Sequence, residues 1–194
     1  MAYGQTAFQQ SWTAEVLAAP PMIAPARQFV YPMQITGEED AMARGALLLS
    51  VRPKSGGSFL ATCALGFTSA SLPTGMYACP SADEMCAVAG GYAYIVDTLV
   101  PQRCTQIALQ PVVSILVLEA QKLLLFVGFH SMVAWGADGL AWTTTKLSWE
   151  GVRVTEILND AVIGFGWEMR TDQEVEFRVD LGTGKHVGGG FRVT

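Results

Sequence analysis

Along residues 175–181 apolar and polar positions alternate without a break. Val175, Phe177, Val179 and Leu181 fall on one side, and Glu174, Glu176, Arg178 and Asp180 on the other. A period of two is the mark of a half-buried β-strand. The same reading extends upstream. Residues 112–118 and 123–129 are apolar runs joined by the polar stretch 119–122, which predicts a hairpin of buried strands. Residues 123–130 are apolar at nearly every position, as a central strand covered on both faces would be. Residues 131–135 and 140–146 flank Gly136-Ala-Asp-Gly139, and Asp-Gly is a strong hairpin turn. Residues 152–158 and 161–167 flank Asn159-Asp160 in the same way. Nearer the start, 46–51 and 58–67 flank Pro53–Gly57, with Phe59, Ala61, Cys63, Leu65 and Phe67 on one face. Residues 92–96 add another strand by their aromatic and β-branched content. The intervening Ser-, Pro- and Gly-rich stretch 68–84 is expected to be a loop.

Helical periodicity is nearly absent. Trp135, Trp142 and Trp149 are spaced by seven, but Gly136, Gly139 and the threonines 143–145 oppose a helix through them. The predicted fold is all-β, built mainly of antiparallel hairpins in a β-sandwich or open barrel. Small propeller-like hairpin repeats are the alternative. At most one short helix is expected, at 11–18, where Ser11 could cap it and the Pro20-Pro21 pair would end it. Residues 1–45 hold Pro20, Pro21, Pro25 and Pro32 and read as an N-terminal arm. Its apolar residues Trp12, Met22, Ile23, Phe29 and Tyr31 are expected to pack on the domain, and 37–40 to form an exposed turn. Residues 46–194 then make a single β-rich domain.

Within that domain, 112–146 and 152–191 can each be read as four short strands with turns at similar places. Units of about 40 residues with four strands are what propeller blades look like. The segment Asp180-Leu-Gly-Thr-Gly-Lys185 also resembles the D-x-x-T-G turns common in propeller repeats. The likeness covers six residues and identifies no family.

Composition narrows the functional classes. Hydrophobic residues make up 51% of the 194 and charged residues only 15%, well below the usual quarter. Such a chain folds, and it is expected to cover some apolar surface with a second copy or another protein. Net charge is −5, and the 12 basic residues are scattered. That points away from nucleic acid and from anionic membrane surfaces. Residues 112–129 are long enough to suggest a membrane span, but Glu119, Gln121 and Lys122 interrupt them. With the first basic residue at Arg27, no signal peptide is recognised, and a soluble cytoplasmic protein is expected. The four cysteines, Cys63, Cys79, Cys86 and Cys104, are separated by fifteen, six and seventeen residues. No C-x-x-C pair occurs, so buried free thiols are expected rather than a metal site or disulfides.

Candidate chemistry is sparse. The histidines are His130 and His186. His130 neighbours Ser131, but adjacent strand residues face opposite sides and cannot act as nucleophile and base. His186 reads as an exposed tail residue. Asp172, Glu174 and Glu176 are spaced as any i, i+2 carboxylates on a strand would be, and read as a solvated stripe. The glycines at 182, 184 and 188–190 match no phosphate-binding pattern. The tryptophans carry more weight, with Trp135, Trp142, Trp149 and Trp167 falling within 33 residues. If Trp142 and Trp149 face outward, they could, with Trp167, form a platform rimmed by Glu168 and Asp172. No catalytic residue, metal or cofactor is assigned. The expected function is a non-enzymatic β-rich binding or assembly module, possible homo-oligomer included. The alternative is a carbohydrate-active or other hydrolase using carboxylates beside the tryptophan platform.

Overall fold

The computed structural model describes residues 7–23, 25–32 and 44–191. The expected turn at 37–40 lies outside them. The described residues form sixteen strands and no helix, in four four-stranded sheets. The chain divides into two compact units, Met1–Pro111 and Val112–Thr194.

The first unit holds two sheets. One runs in the order β1 (Trp12–Leu17), β3 (Ala46–Pro53), β4 (Phe59–Ala64), β2 (Gln28–Tyr31). β1 and β3 pair antiparallel, as do β3 and β4, whereas β2 lies parallel to β4. The other sheet is a meander of β5 (Gly75–Ala78), β6 (Glu84–Ala89), β7 (Tyr92–Asp97) and β8 (Cys104–Gln106). The two are tied by buried polar contacts. The Trp12 indole N–H donates to the Glu84 carbonyl at 3.0 Å and the Tyr94 hydroxyl to the Ala64 carbonyl at 2.9 Å. The Tyr31 hydroxyl donates to the Pro101 carbonyl at 2.7 Å. All three fulfil the rule that a buried aromatic donor finds a partner.

Three local expectations differ from what is found here. Residues 12–17 form strand β1 and not a helix, because Thr13 and Val16 suit a strand and six residues of β3 pair with them. Phe59, Ala61 and Cys63 are buried, but so are Leu60 and Ala64, so β4 is covered on both faces. Strand β5 sits inside the expected loop 68–84, its four residues too few to show a period. In the arm, Trp12 and Tyr31 are buried and Phe29 meets Phe59 edge-on at 5.5 Å, whereas Met22 and Ile23 stand almost fully exposed.

The second unit is two successive meanders, β9 (Val112–Leu118), β10 (Leu123–Gly128), β11 (Met132–Gly136) and β12 (Gly139–Thr143), then β13 (Val152–Ile157), β14 (Ala161–Glu168), β15 (Gln173–Asp180) and β16 (His186–Gly188). Every residue of β10 is buried. The two sheets share one apolar layer. Leu125, Val127, Met132 and Ala134 come from one, and Val162, Phe177 and Val179 from the other. On β15 Phe177 and Val179 are buried while Glu174, Glu176, Arg178 and Asp180 are exposed, the alternation read from the sequence.

Gly164 leaves room for this layer. A Cβ there would stand 2.3 Å from the Arg153 carbonyl and 2.5 Å from the Phe177 ring. Replacing Gly164 with Ala therefore forces β13 or Phe177 to move, and the expected cost is about 1–3 kcal/mol. Urea denaturation of the full chain measures it, and an unchanged midpoint would show that the ring and strand yield freely.

Candidate functional site

The turns of the second unit gather polar groups at one end of its sheets. The β9–β10 turn brings Gln121, the β13–β14 turn Asn159 and Asp160, and the β15–β16 turn Asp180 to Gly182. With Leu123, Ala141, Trp142 and Leu181 they line a pocket of about 550 Å³. Its frame is hydrogen-bonded from within. Gln121 Nε2 donates to the Asn159 carbonyl at 2.8 Å, and the Leu181 N–H donates to the Asp160 carbonyl at 2.8 Å. The Trp142 indole N–H donates to the Leu181 carbonyl at 2.7 Å.

The D-x-x-T-G sequence explains the third turn. Thr183 donates to Asp180 Oδ1 twice, from its N–H at 2.8 Å and its hydroxyl at 2.6 Å. Gly184 donates to the Asp180 carbonyl at 2.8 Å and takes φ +70°, a region open to glycine at little cost. Its missing side chain also matters, since a Cβ there would lie 2.6 Å from the Trp142 ring. The Thr183 hydroxyl is the main cause that holds the Asp180 carboxyl below its ordinary value. The Thr183 and Gly182 N–H groups and the Arg178 charge reinforce it. Arg178 also pairs with Asp160 at 2.8 Å.

The five residues singled out from the sequence separate into two places. Trp142 is buried, not outward, and forms part of the pocket floor. Trp167 lies six residues beyond Ala161 on β14, hence roughly 20 Å away along the strand and at its other end. There Trp149 donates its N–H to the Trp167 carbonyl at 3.1 Å. The Trp149 ring meets Phe191 at 4.7 Å between centroids, and Lys146 Nζ stands 5.0 Å from the Phe191 centroid. Trp149 thus already holds an aromatic partner from its own chain. Asp172 is a turn residue at φ +54° whose carboxylate accepts the Trp167 indole N–H at 3.0 Å. Glu168 accepts the Thr171 hydroxyl at 2.6 Å. Glu174 pairs with Arg153, whose guanidinium holds its carboxyl low and lies 4.9 Å from the Phe165 centroid.

Elsewhere, His130 is exposed with Nδ1 3.3 Å from the Ser148 carbonyl. His186 is half-buried, its Nε2 2.8 Å from the Thr145 hydroxyl. All four cysteines are free. Burial raises Cys63, Cys79 and Cys86 well above the ordinary thiol range, and neighbouring thiols add to it. Burial pushes Cys104 up to about 12. They are protonated, and poor nucleophiles for that reason. Among the described residues no group of three or more His, Cys, Asp or Glu side chains could hold a metal ion. No helix among them is long and apolar enough to cross a membrane. Comparison with family models, curated proteins and solved structures returns no match to the chain.

The sequence does not single out Gln121, Asn159 and Asp160 because hairpin turns account for them, nor Asp180 because it belongs to the polar face of residues 174–180. The one available signal was the D-x-x-T-G turn itself, which fixes Asp180.

The Trp149–Phe191 contact is a clasp on the C-terminal segment. Gly190 donates to the Leu147 carbonyl at 2.8 Å, and a Cβ on Gly190 would lie 2.3 Å from the Trp167 carbonyl. Replacing Phe191 with Ala is expected to cost about 1–2 kcal/mol, from lost burial and the ring pair. It should also shift the Trp149 emission to the red. Urea titration followed by fluorescence reads both, and an unchanged spectrum would show that the clasp does not shield the indole.

Proposed function

We propose that this chain is a non-enzymatic β-rich binding and assembly module acting in the cytoplasm. The observation that carries the binding half is the pocket at the turn end of the second unit. It has an apolar floor of Leu123, Trp142 and Leu181 under a rim of two amides and two carboxylates. Its volume falls within the roughly 300–1,000 Å³ of small-molecule sites, and convergent polar groups over an apolar floor are what such sites use for orientation. Asp180 is held below its ordinary value by its hydrogen bonds. Glu174, outside the pocket, is held low by Arg153. Such carboxylates accept hydrogen bonds at neutral pH and are poorly suited to donate protons. Four unpaired thiols, three of them buried, suit a reducing compartment.

A nuclear magnetic resonance screen of a mixed fragment library against the full chain tests the binding half. The Trp142 indole N–H, fixed by its bond to Leu181, is a separate reporter. Hits are expected to shift that resonance together with the Asn159 and Gln121 side-chain amides. Filling the pocket by Ala141→Trp should remove them. A screen with no hits on these resonances overturns the reading.

Assembly is supported by the outer strands of the first sheet. Val16 on β1 and Val30 on β2 are exposed apolar residues on edge strands, and Met22 and Ile23 stand exposed between them. Open apolar edges favour pairing with another chain. Light scattering at micromolar concentration is expected to give a homo-oligomer that Val16→Lys with Ile23→Lys converts to monomer. A monomer in the unaltered chain would remove the assembly half.

A further inference from the structure

We infer that the turn-end pocket takes a neutral polyhydroxylated ligand of monosaccharide size, an assignment that rests on the binding reading above. The argument is the balance of donors and acceptors on the rim. A hydroxyl both donates and accepts, whereas an ammonium only donates and an anion only accepts. Asp160 Oδ2 is taken by Arg178, and Asp180 Oδ1 by Thr183. Each carboxylate therefore keeps a second oxygen as an acceptor. Gln121 donates one N–H to the Asn159 carbonyl, leaving its own carbonyl oxygen as an acceptor. The carboxamide of the exposed Asn159 adds both a donor and an acceptor. A mixed rim of this kind is satisfied by vicinal hydroxyls. An ammonium would leave the amide donors without acceptors.

Charge leads to the same ligand. Asp160, the last residue of the β13–β14 turn, immediately precedes Ala161, which pairs directly with Asp180. Arg178 lies beside both, as the ion-pair partner of the first and a charge that lowers the second. The pair of carboxylates is thus partly offset, and a full cation on the ligand is not called for. The floor contributes apolar contact. Leu123, Leu181 and the Trp142 indole are buried, while Ala141 is exposed. Gly184 packs against the Trp142 ring and Trp142 and Leu181 are buried, so they back the floor, and the C–H face of a sugar ring would rest on the exposed Ala141 beside them.

The test uses the full chain titrated with glucose, galactose, mannose, N-acetylglucosamine and myo-inositol, and in parallel with putrescine and phenethylamine. Shifts of the Trp142 indole and the Asn159 and Gln121 amides are followed. At least one polyol is expected to saturate these shifts, and Asn159→Ala and Asp180→Asn are each expected to weaken it by about tenfold or more, as loss of a ligand hydrogen bond does. Asp172→Asn, at the far end of β14, should leave the affinity unchanged. Saturation by the amines alone, or by library fragments but no polyol, overturns the ligand class and leaves the pocket standing as a site. If polyols, amines and fragments all fail on these resonances in a folded chain, the binding reading falls and the ligand class with it. Should Asp180→Asn disturb its turn, Asn159→Ala decides alone.

Discussion

The second unit depends on a single shared layer in which Phe177 is the largest fully buried side chain. A four-stranded meander with one apolar face must bury that face against another element. Val162, Phe177 and Val179 from one meander meet Leu125, Val127, Met132 and Ala134 from the other. Because side chains alternate along a strand, that contact fixes the register of everything else on β15. Asp180 must then face outward, one position beyond buried Val179, and Leu181 must turn in beneath it. The pocket is a by-product of how the layer ends, where the strands stop and their turns begin.

That end is also where local chemistry replaces packing as the organiser. Asp180, Thr183 and Gly184 close their turn by hydrogen bonds within six residues, and Trp142 is locked to Leu181 from the neighbouring sheet. Polar atoms of the frame are therefore partly spent on each other, and what remains free is set by geometry. At the opposite end Ser148 plays the corresponding part. Its hydroxyl accepts the Trp167 and Glu150 N–H groups at 2.8 and 3.1 Å, which holds the irregular segment before β13 against the sheet.

Strand positions in the second unit were legible because alternation there is long and turn residues are sharp. Residues 175–181 show this best, as do the hairpins at Gly136–Gly139 and Asn159-Asp160. The first unit was less so for physical reasons. β5 has four residues and β8 three, too few to show a period. β1 owes its form to pairing with β3 across a long separation in sequence, which local propensity does not encode. The candidate site was legible only in fragments. The face of Trp142 is open in the sequence, since side-chain direction depends on the register with β11, where Trp142 pairs with buried Ala134 beside a one-residue slip. Trp149 found Phe191, a partner more than 40 positions away that no spacing rule connects.

The sulfur chemistry of the first unit has a consequence for how the protein ages. Cys63, Cys79 and Cys86 lie within the interior, each at most 1% exposed, on or beside three different strands. An oxidant in solution cannot meet them until part of the unit opens, so damage would follow the frequency of that opening rather than the strength of the oxidant. The same burial that makes these thiols chemically quiet turns them into recorders of breathing in the native fold.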